Sequence, residues 1–241
     1  MSWTAVEHAT EQFVERSFVL SPTLSDSEIT GVYRTPLAGE SDRLVLVGHG
    51  GGSDEAHKHS GYIVAIAGLL AQRGIASLSI DGPGHGERAT LAFEGGDGEI
   101  ERAWASGGGT PGVVADWRAA LDFIEAERGA RPTGWWGVSM GTMMGVPVIA
   151  ADDRIRLAVL GLMGIWAEIG PDLERLAPNV TCPLRFLVQW DDETIPRQTC
   201  FKLFDRLGST RKTLHANPGP HAGIPSFEFE ASADYMARYL R

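Results

Sequence analysis

The sequence has few of the residues that mark disulfide-rich or metal-binding proteins. It contains only two cysteines, Cys182 and Cys200, and neither lies in a CxxC pair or near histidines at metal-ligand spacing. A disulfide framework and a zinc site are therefore not indicated. His57 and His59 alternate on a polar stretch without a third ligand nearby, which is typical of polar surface. The sequence predicts no metal and no cofactor, and it is consistent with reduced thiols inside the cell.

Long apolar runs and an excess of positive charge are also missing. No run of about 18 apolar residues occurs, and the first residues, MSWTAVEHATEQFVERSF, lack the basic and then apolar regions of a signal peptide. The formal net charge is -10, which argues against nucleic acid and anionic membrane surfaces as partners. We therefore expect a cytoplasmic protein that acts on small molecules.

The length and the order of apolar patterns indicate the fold class. With 241 residues, 43% hydrophobic and 22% charged, the chain is predicted to form one globular domain over residues 1–241. Patterns typical of strands alternate with patterns typical of helices. Strands are predicted at 28–36, 43–50, 75–81, 133–138, 155–162, 184–190 and 212–216, and helices at 61–73, 112–128, from about 139, 196–208 and 226–240. This order predicts an α/β fold with a doubly wound, mostly parallel sheet and helices on both faces.

Two segments depart from this regular pattern. The glycine-rich span 82–112 is long for a simple connection, so we expect a functional loop or a small excursion there. Gly145 and Pro147 are poor helix residues inside the helix predicted from about residue 139. Either core packing overrides these two residues or that helix is kinked.

A serine lies between two glycines in GWWGVSMGTMMG, residues 134–145. Because this serine follows a predicted strand and precedes a predicted helix, a sharp turn can present its hydroxyl beyond the sheet. Side chains two residues before or after would collide with such a turn, which explains Gly137 and Gly141. The alternative is a glycine-rich turn that contains an ordinary serine. The spacing predicts Ser139 as a nucleophile, with the Met140 amide directed into the same space.

A serine nucleophile needs a base, a carboxylate that orients the base, and donors for the oxyanion. The base candidate is His221 in NPGPHAGIP, a loop after the last predicted strand. The acid candidates are Asp191 and Asp192 in VQWDDETIP, whose alternative role is to cap the following helix. Gly51 in VLVGHGGGSD is the second oxyanion donor candidate, beside Met140. A phosphate-binding loop is disfavoured there, because neither a following Lys-Ser/Thr nor a GxGxxG motif is present.

Together these segments resemble the α/β-hydrolase superfamily, and most closely its small dienelactone-hydrolase-like and bacterial esterase branches. The likeness extends from RLVLVGHGGG through IDGPGHGER, VVADWRAALDFI and GVSMG to DDETIP and PHAGI. It implies a catalytic triad in the chain order Ser139, Asp192, His221. In these relatives the acid usually precedes the helix-opening proline by four positions, so the resemblance favours Asp192 over Asp191. True dienelactone hydrolases use a cysteine nucleophile, whereas position 139 is serine. The resemblance also implies a minimal cap or none, because the segment between the strands 155–162 and 184–190 is short.

The expected function is hydrolysis of carboxylic esters with small to medium acyl groups through an acyl-enzyme. Met163, Ile165 and Trp166 are predicted to line the substrate pocket, because loops at the carboxyl ends of parallel strands face the site; their alternative role is core packing. Trp104, in the glycine-rich excursion, is a further pocket candidate. Hydrolysis of lactones, including dienelactone, or of thioesters is the alternative activity, and a hydrolase-like binding protein without catalysis is the alternative of a different class.

Overall fold

The structure is a computed structural model that describes residues 2–4, 8–51, 57–89 and 98–241. Within these residues the chain forms one mixed β-sheet with α-helices packed on its faces. The strands are β1 Ser2–Trp3, β2 His8–Ala9, β3 Phe13–Leu20, β4 Ile29–Pro36, β5 Leu44–Gly48, β6 Ala76–Ile80, β7 Thr133–Gly137, β8 Ile155–Gly161, β9 Leu184–Gln189 and β10 Lys212–Asn217. The helices are α1 Gly61–Gln72, α2 Glu99–Ser106, α3 Gly109–Arg128, α4 Met140–Ala151, α5 Gly170–Leu176, α6 Arg197–Arg206 and α7 Ser226–Tyr239.

The sheet is antiparallel at one side and parallel over the remainder. Its strand order is β1-β3-β4-β6-β5-β7-β8-β9-β10, and β2 pairs with β3. All pairs from β6 to β10 along this order are parallel, whereas β1, β2, β3 and β4 pair antiparallel with their neighbours. The carboxyl ends of β5, β7, β8, β9 and β10 therefore meet at one edge, where ligands bind in sheets of this kind.

Alternating side chains of the parallel strands fill two separate cores. On β7, Trp135 enters the core beneath α3 and α4, and its neighbour Trp136 enters the core beneath α1 and α7. On β5, Leu46 likewise packs in the core beneath α3 and α4, and Val47 packs in the core beneath α1 and α7. This alternation on strands that are buried on both faces confirms the predicted mostly parallel α/β fold with helices on both sides.

The predicted strands and helices from residue 28 onward lie within a few residues of the observed ones. The sequence analysis assigned no strand to the N-terminal stretch, where β3 pairs with β4 over Phe13 to Leu20. Most β3 residues are half-buried, so its apolar pattern is weak. The glycine-rich excursion contains α2 and the beginning of α3, while positions 90–97 lie outside the described residues. Trp104 on α2 is 8% exposed and packs in the core, which does not support its expected pocket role.

Helix α4 runs uninterrupted through Pro147, so packing overrides the low helix propensity of its residues. Gly145 is required by the close approach of Trp135, whose indole Nε1 would lie 2.3 Å from a Cβ atom at position 145. The same indole donates a hydrogen bond to the Gly141 carbonyl oxygen at 3.1 Å. The interior glycine thus lets α4 pack directly against β7.

Among the residues that the structure describes, we find no helix with the combination of length and hydrophobicity that a membrane-spanning segment needs.

Candidate active site

Ser139 occupies a strained turn between β7 and α4. Its backbone angles are φ 57° and ψ -124°, a region that non-glycine residues rarely adopt and that costs about 1–3 kcal/mol. A Cβ atom on Gly141 would lie 2.4 Å from the Gly48 carbonyl oxygen, and one on Gly137 would lie 2.7 Å from the Gly141 carbonyl oxygen. The turn therefore excludes a side chain at both glycine positions, while the half-buried serine lies at the carboxyl edge of the sheet.

We expect Gly141→Ala to lower the free energy of unfolding by about 1–3 kcal/mol, because the new methyl group would press on backbone atoms that no side-chain rotation can move. Urea unfolding followed by circular dichroism measures this change. Gly61→Ala is the matched control, because a Cβ atom at the start of α1 has no neighbour within 4 Å. Equal unfolding midpoints for the two variants would contradict the steric argument.

Thr142, which the sequence analysis did not single out, ties this turn to the neighbouring strand. Its hydroxyl oxygen is fully buried and accepts a hydrogen bond from the Gly161 amide at 2.7 Å. The same hydroxyl lies 2.9 Å from the Gly137 carbonyl oxygen and 2.7 Å from the Gly161 carbonyl oxygen, to one of which it donates at a time. The Ser139 amide also donates to the Gly161 carbonyl at 2.9 Å. The ends of β7 and β8 are therefore locked together around Ser139.

His221 lies against the serine although 82 positions separate the two residues in the chain. Its Nε2 atom is 3.0 Å from the Ser139 hydroxyl oxygen, and its Nδ1 atom is 2.7 Å from Asp192 Oδ2. With Asp192 ionised, Nδ1 carries the proton that is donated to the carboxylate, and Nε2 is free to accept the serine proton. The structure thus brings the three predicted residues into one hydrogen-bonded chain.

Three consecutive acidic residues hold the loop that carries His221. Asp191 Oδ2 accepts a hydrogen bond from the Gly219 amide at 2.9 Å, and Glu193 Oε2 accepts one from the His221 amide at 2.9 Å. This backbone hydrogen bond is the main cause that lowers the pKa of the exposed Glu193 carboxyl group. Asp192 lies between them with its side chain 1% exposed, and it alone contacts the imidazole.

Asp192 also organises its own turn. Its second oxygen, Oδ1, accepts hydrogen bonds from the Thr194 amide at 2.9 Å and the Ile195 amide at 2.7 Å. These amides precede α6, whose first residue is Arg197. The aspartate therefore stabilises the turn before the helix and not the first turn of the helix. Asp192 therefore contacts the histidine and closes its own turn, whereas the helix-capping role that the sequence analysis offered as an alternative is not observed, because in the described part of the chain no side-chain hydrogen bond caps α6.

Gln189 is a second residue that sequence reasoning missed. It ends β9, is 1% exposed, and its side-chain Nε2 donates to the carbonyl oxygens of Pro220 at 3.2 Å and Gly223 at 2.9 Å. These two carbonyls flank His221 in the chain. A buried side-chain amide thus restrains the histidine loop from the side of the sheet. A polar residue at the end of an otherwise apolar strand is the sequence feature that could have identified Gln189.

Gly51 and Met140, the predicted oxyanion donors, are neighbours in space. A Cβ atom on Gly51 would lie 2.8 Å from Met140 Sδ and 3.3 Å from Met140 Cβ, so the backbone at Gly51 passes close to Met140. Met140 is the first residue of α4, where backbone amides point out of the helix without an acceptor inside it. Among the described residues neither of the two amides donates a hydrogen bond to another group. Both amides are therefore free to bind a ligand oxygen.

His49, also missed from the sequence, connects the Gly51 loop to the turn after β6. This residue is fully buried; its Nδ1 donates to the Gly50 carbonyl oxygen at 2.5 Å and its Nε2 accepts from the Gly82 amide at 2.8 Å. Burial, followed by repulsion from His85, lowers the pKa of His49 to about 4, so the ring is neutral at pH 7. The Gly50 amide in turn donates to the Tyr62 hydroxyl oxygen. The loop is thus held on both sides by uncharged groups.

A cavity of about 480 Å³ opens directly above Ser139 and His221. Its polar lining residues include His57, His59, Ser60 and Tyr62. Its apolar lining residues are Val138, Leu162, Ala222, Ile224 and Phe229. Gly50, Gly51 and Gly61 complete the lining. In the described part of the chain, no cluster of three or more histidine, cysteine, aspartate or glutamate residues could hold a metal ion.

The residues expected to form the pocket lie elsewhere, which corrects the sequence analysis. Met163 is 7% exposed in the core, Ile165 packs against that core, and Trp166 is 44% exposed, but none of the three lines the cavity above Ser139. The physical reason is the turn after β8. Leu162, with φ 53°, lines the cavity there, and the Ile165 amide then donates to the Thr199 carbonyl of α6 at 3.1 Å, so the chain runs away from the serine.

Comparison with known proteins gives relatives of this chain at the level of both sequence and fold. The model of a family described as serine aminopeptidase, S33, matches residues 39–163, more than half of the 241 residues. A cold-adapted esterase from an Arctic intertidal metagenomic library, solved as a complex with polyethylene glycol, is 52% identical over 100% of both chains with a TM-score of 0.92. The comparison with curated proteins gave no match.

More distant solved structures share the fold. An acetyl xylan esterase from Paenibacillus sp. R4 is 20% identical, with 99% of this chain and 88% of the other covered and a TM-score of 0.73. A dienelactone hydrolase from Anabaena variabilis is 19% identical, with 96% of this chain and 100% of the other covered and a TM-score of 0.66. Both similarities extend over nearly the whole sheet and its helices.

Proposed function

Because this chain belongs to the α/β-hydrolase superfamily, in the serine aminopeptidase S33 family, we propose that it hydrolyses carboxylic esters of small to medium acyl groups. In this proposal Ser139 is the nucleophile, His221 the general base and Asp192 the residue that orients the base. One observation carries the proposal: His221 Nε2 lies 3.0 Å from Ser139 Oγ while its Nδ1 lies 2.7 Å from Asp192 Oδ2. The esterase that shares 52% of its residues with this chain supports an ester as the substrate.

The geometry supports a two-step reaction through an acyl-enzyme. His221 Nε2 takes the proton of the Ser139 hydroxyl as Oγ attacks the ester carbonyl carbon, and Asp192 stabilises the imidazolium that forms. The amides of Gly51 and Met140 stabilise the negative charge that develops on the carbonyl oxygen. His221 then donates its proton to the departing alcohol, and a water molecule, activated by the same histidine, releases the acid from Ser139.

The surroundings of the triad support a small-molecule substrate. The cavity volume of about 480 Å³ falls in the range of about 300–1,000 Å³ that is typical of small-ligand sites. Only the short helix α5 and a few turns connect β8 to β9, so the described residues provide no large cap over the serine.

A fluorophosphonate probe tests this proposal directly. We expect the probe to add one covalent group to the wild-type chain, at Ser139, because only an activated serine reacts with it efficiently. Intact-mass measurement followed by peptide mapping locates the group. A binding protein with this fold would remain unlabelled, and labelling at a serine other than Ser139 would refute the assignment of the nucleophile.

A further inference from the structure

A groove between α1 and α7 adjoins the cavity above Ser139. This groove has a volume of about 760 Å³, and it shares Gly61, Tyr62, Ile224 and Phe229 with the cavity that contains Ser139. Beyond these shared residues the groove is lined by Ala65, Leu69 and Phe227 along its apolar part. We call this feature the α1–α7 groove. Because four residues line both spaces, the groove lies directly beside the cavity that contains Ser139.

Helix α1 contributes an apolar stripe to the groove in addition to its buried face. Its buried residues include Ile63, Ile66 and Leu70, which pack into the core beneath the helix. Tyr62, Ala65 and Leu69 have the spacing i, i+3 and i+7, which places them together on another side of the helix. A surface helix usually carries polar residues on its outer side. Tyr62 and Leu69 are partly buried and also pack against the core beneath the helix, whereas Ala65 is exposed, so the outer part of this stripe presents apolar surface to the groove.

The opposite wall of the groove is aromatic and is supported from below. Phe229 of α7 packs on the buried Trp136, with ring centroids 5.8 Å apart, and Tyr62 packs on the same indole at 6.5 Å. Trp136 thus holds in place the two rings at which the cavity meets the groove. Farther out, Phe227 is 59% exposed at the first turn of α7. An exposed aromatic side chain beside an apolar stripe is typical of a ligand-binding surface.

The charge at the outer end of the groove is already neutralised. Glu230 lines this end, and its Oε2 atom lies 2.8 Å from Arg73 Nη2. The other polar side chains that line the groove, Gln12, Gln72 and Ser226, are uncharged. The groove therefore offers no free charge, among its described lining residues, for an ionic group of a ligand. Its chemistry matches a neutral aliphatic chain.

We propose that the α1–α7 groove binds an extended, unbranched aliphatic arm of the ester whose carbonyl group lies at Ser139. This inference rests on the proposed esterase function and adds a substrate class to it. Tyr62, Ala65, Leu69 and Phe227 are then specificity-determining residues. Each methylene group that leaves water for the groove raises kcat/KM about fourfold, so the wild-type enzyme prefers octanoate to acetate esters.

Substitutions that fill or open the groove test this inference. We expect Ala65→Trp to lower the ratio of kcat/KM for p-nitrophenyl octanoate to that for p-nitrophenyl acetate about tenfold or more, because the indole occupies the path of the chain. Phe227→Ala lowers the same ratio about threefold, since it removes one wall. The matched controls are Ala105→Trp, at an exposed position of α2, and Tyr239→Ala, at a 52% exposed position of α7. Neither control residue lines the cavity or the groove, and both controls keep the wild-type ratio.

Two substrate series identify the arm that occupies the groove. In one series the acyl chain grows from acetate to octanoate on a constant p-nitrophenol, and in the other the alcohol grows from ethyl to octyl on a constant acetate. If Ala65→Trp flattens the first series the groove binds the acyl chain, and if it flattens the second the groove binds the alcohol. Unchanged chain-length profiles in both series, for Ala65→Trp and Phe227→Ala, overturn the inference. Failure of the esterase proposal is distinguishable, because the wild-type chain would then show neither fluorophosphonate labelling nor acetate hydrolysis.

Discussion

Ser139→Ala is expected to lower kcat on p-nitrophenyl acetate by several powers of ten, on the order of 10⁴ or more. In the proposed mechanism, loss of the hydroxyl leaves His221 with no nucleophile to activate, and the amides of Gly51 and Met140 can only stabilise attack by water. Triad residues act as one unit, so the loss of the serine removes nearly the whole contribution of the three. Steady-state hydrolysis, followed by nitrophenolate absorbance, gives the ratio of variant to wild type.

Stability measurements separate lost chemistry from lost structure in this experiment. Ser139 holds φ at 57°, where glycine is relaxed and alanine is not. We therefore expect Ser139→Gly to lose activity as Ser139→Ala does, while its free energy of unfolding rises by about 1–3 kcal/mol through release of backbone strain. A variant with alanine at position 139 that retained wild-type turnover would refute the assignment of the nucleophile.

Asp192→Asn is expected to lower kcat/KM about 10⁴-fold, whereas Asp191→Asn lowers it less than about tenfold. The Asp192 carboxylate binds two backbone amides with Oδ1 and the His221 Nδ1 atom with Oδ2. In the asparagine variant the amide oxygen keeps the backbone contacts, so the NH₂ group faces Nδ1. The imidazole must then carry its proton on Nε2, where it can no longer accept the serine proton.

Asp191→Asn is a matched control because the same chemical change is made one position away. Among the described residues, the Asp191 side chain accepts a hydrogen bond from the Gly219 amide alone, and the oxygen of asparagine can accept that hydrogen bond equally well. Parallel assays of the two variants on p-nitrophenyl acetate, with unfolding midpoints as the measure of structure, give the comparison. If the change at position 191 were the more damaging one, the roles of the two aspartates would be reversed.

The candidate site could be predicted in part from local patterns. A serine between two glycines after an apolar strand indicates a steric constraint, and the structure shows that constraint as the contacts that a Cβ atom would make with the Gly48 and Gly141 carbonyls. The histidine in a turn-rich loop after the last strand follows from the rule that parallel strands end at one edge. These inferences need only chain order and excluded volume, which the sequence contains.

The supporting residues could not be predicted in this way. Thr142, Gln189 and His49 act through hydrogen bonds to backbone groups that are distant in the chain. The neighbouring sequence therefore does not identify their partners, although the polar Gln189 at the end of an apolar strand is a local signal. The prediction of the pocket residues was wrong for a related reason. Which way the chain turns after β8 depends on the positive φ of Leu162 and on the contact with α6, and both are set by tertiary packing.

The sequence by itself determined the mostly parallel α/β sheet, the glycine requirement of the serine turn and the chain order of the serine, acid and histidine. Periodicity and steric exclusion act over a few residues and are therefore visible in a linear pattern. The resemblance favoured Asp192 over Asp191, and the structure places Asp192 in contact with the histidine. Only the tertiary structure decided that Leu162 and not Trp166 lines the cavity, and that a groove between α1 and α7 adjoins it. These outcomes depend on distances between side chains on separate strands and helices, which exist only once the sheet has brought those segments together.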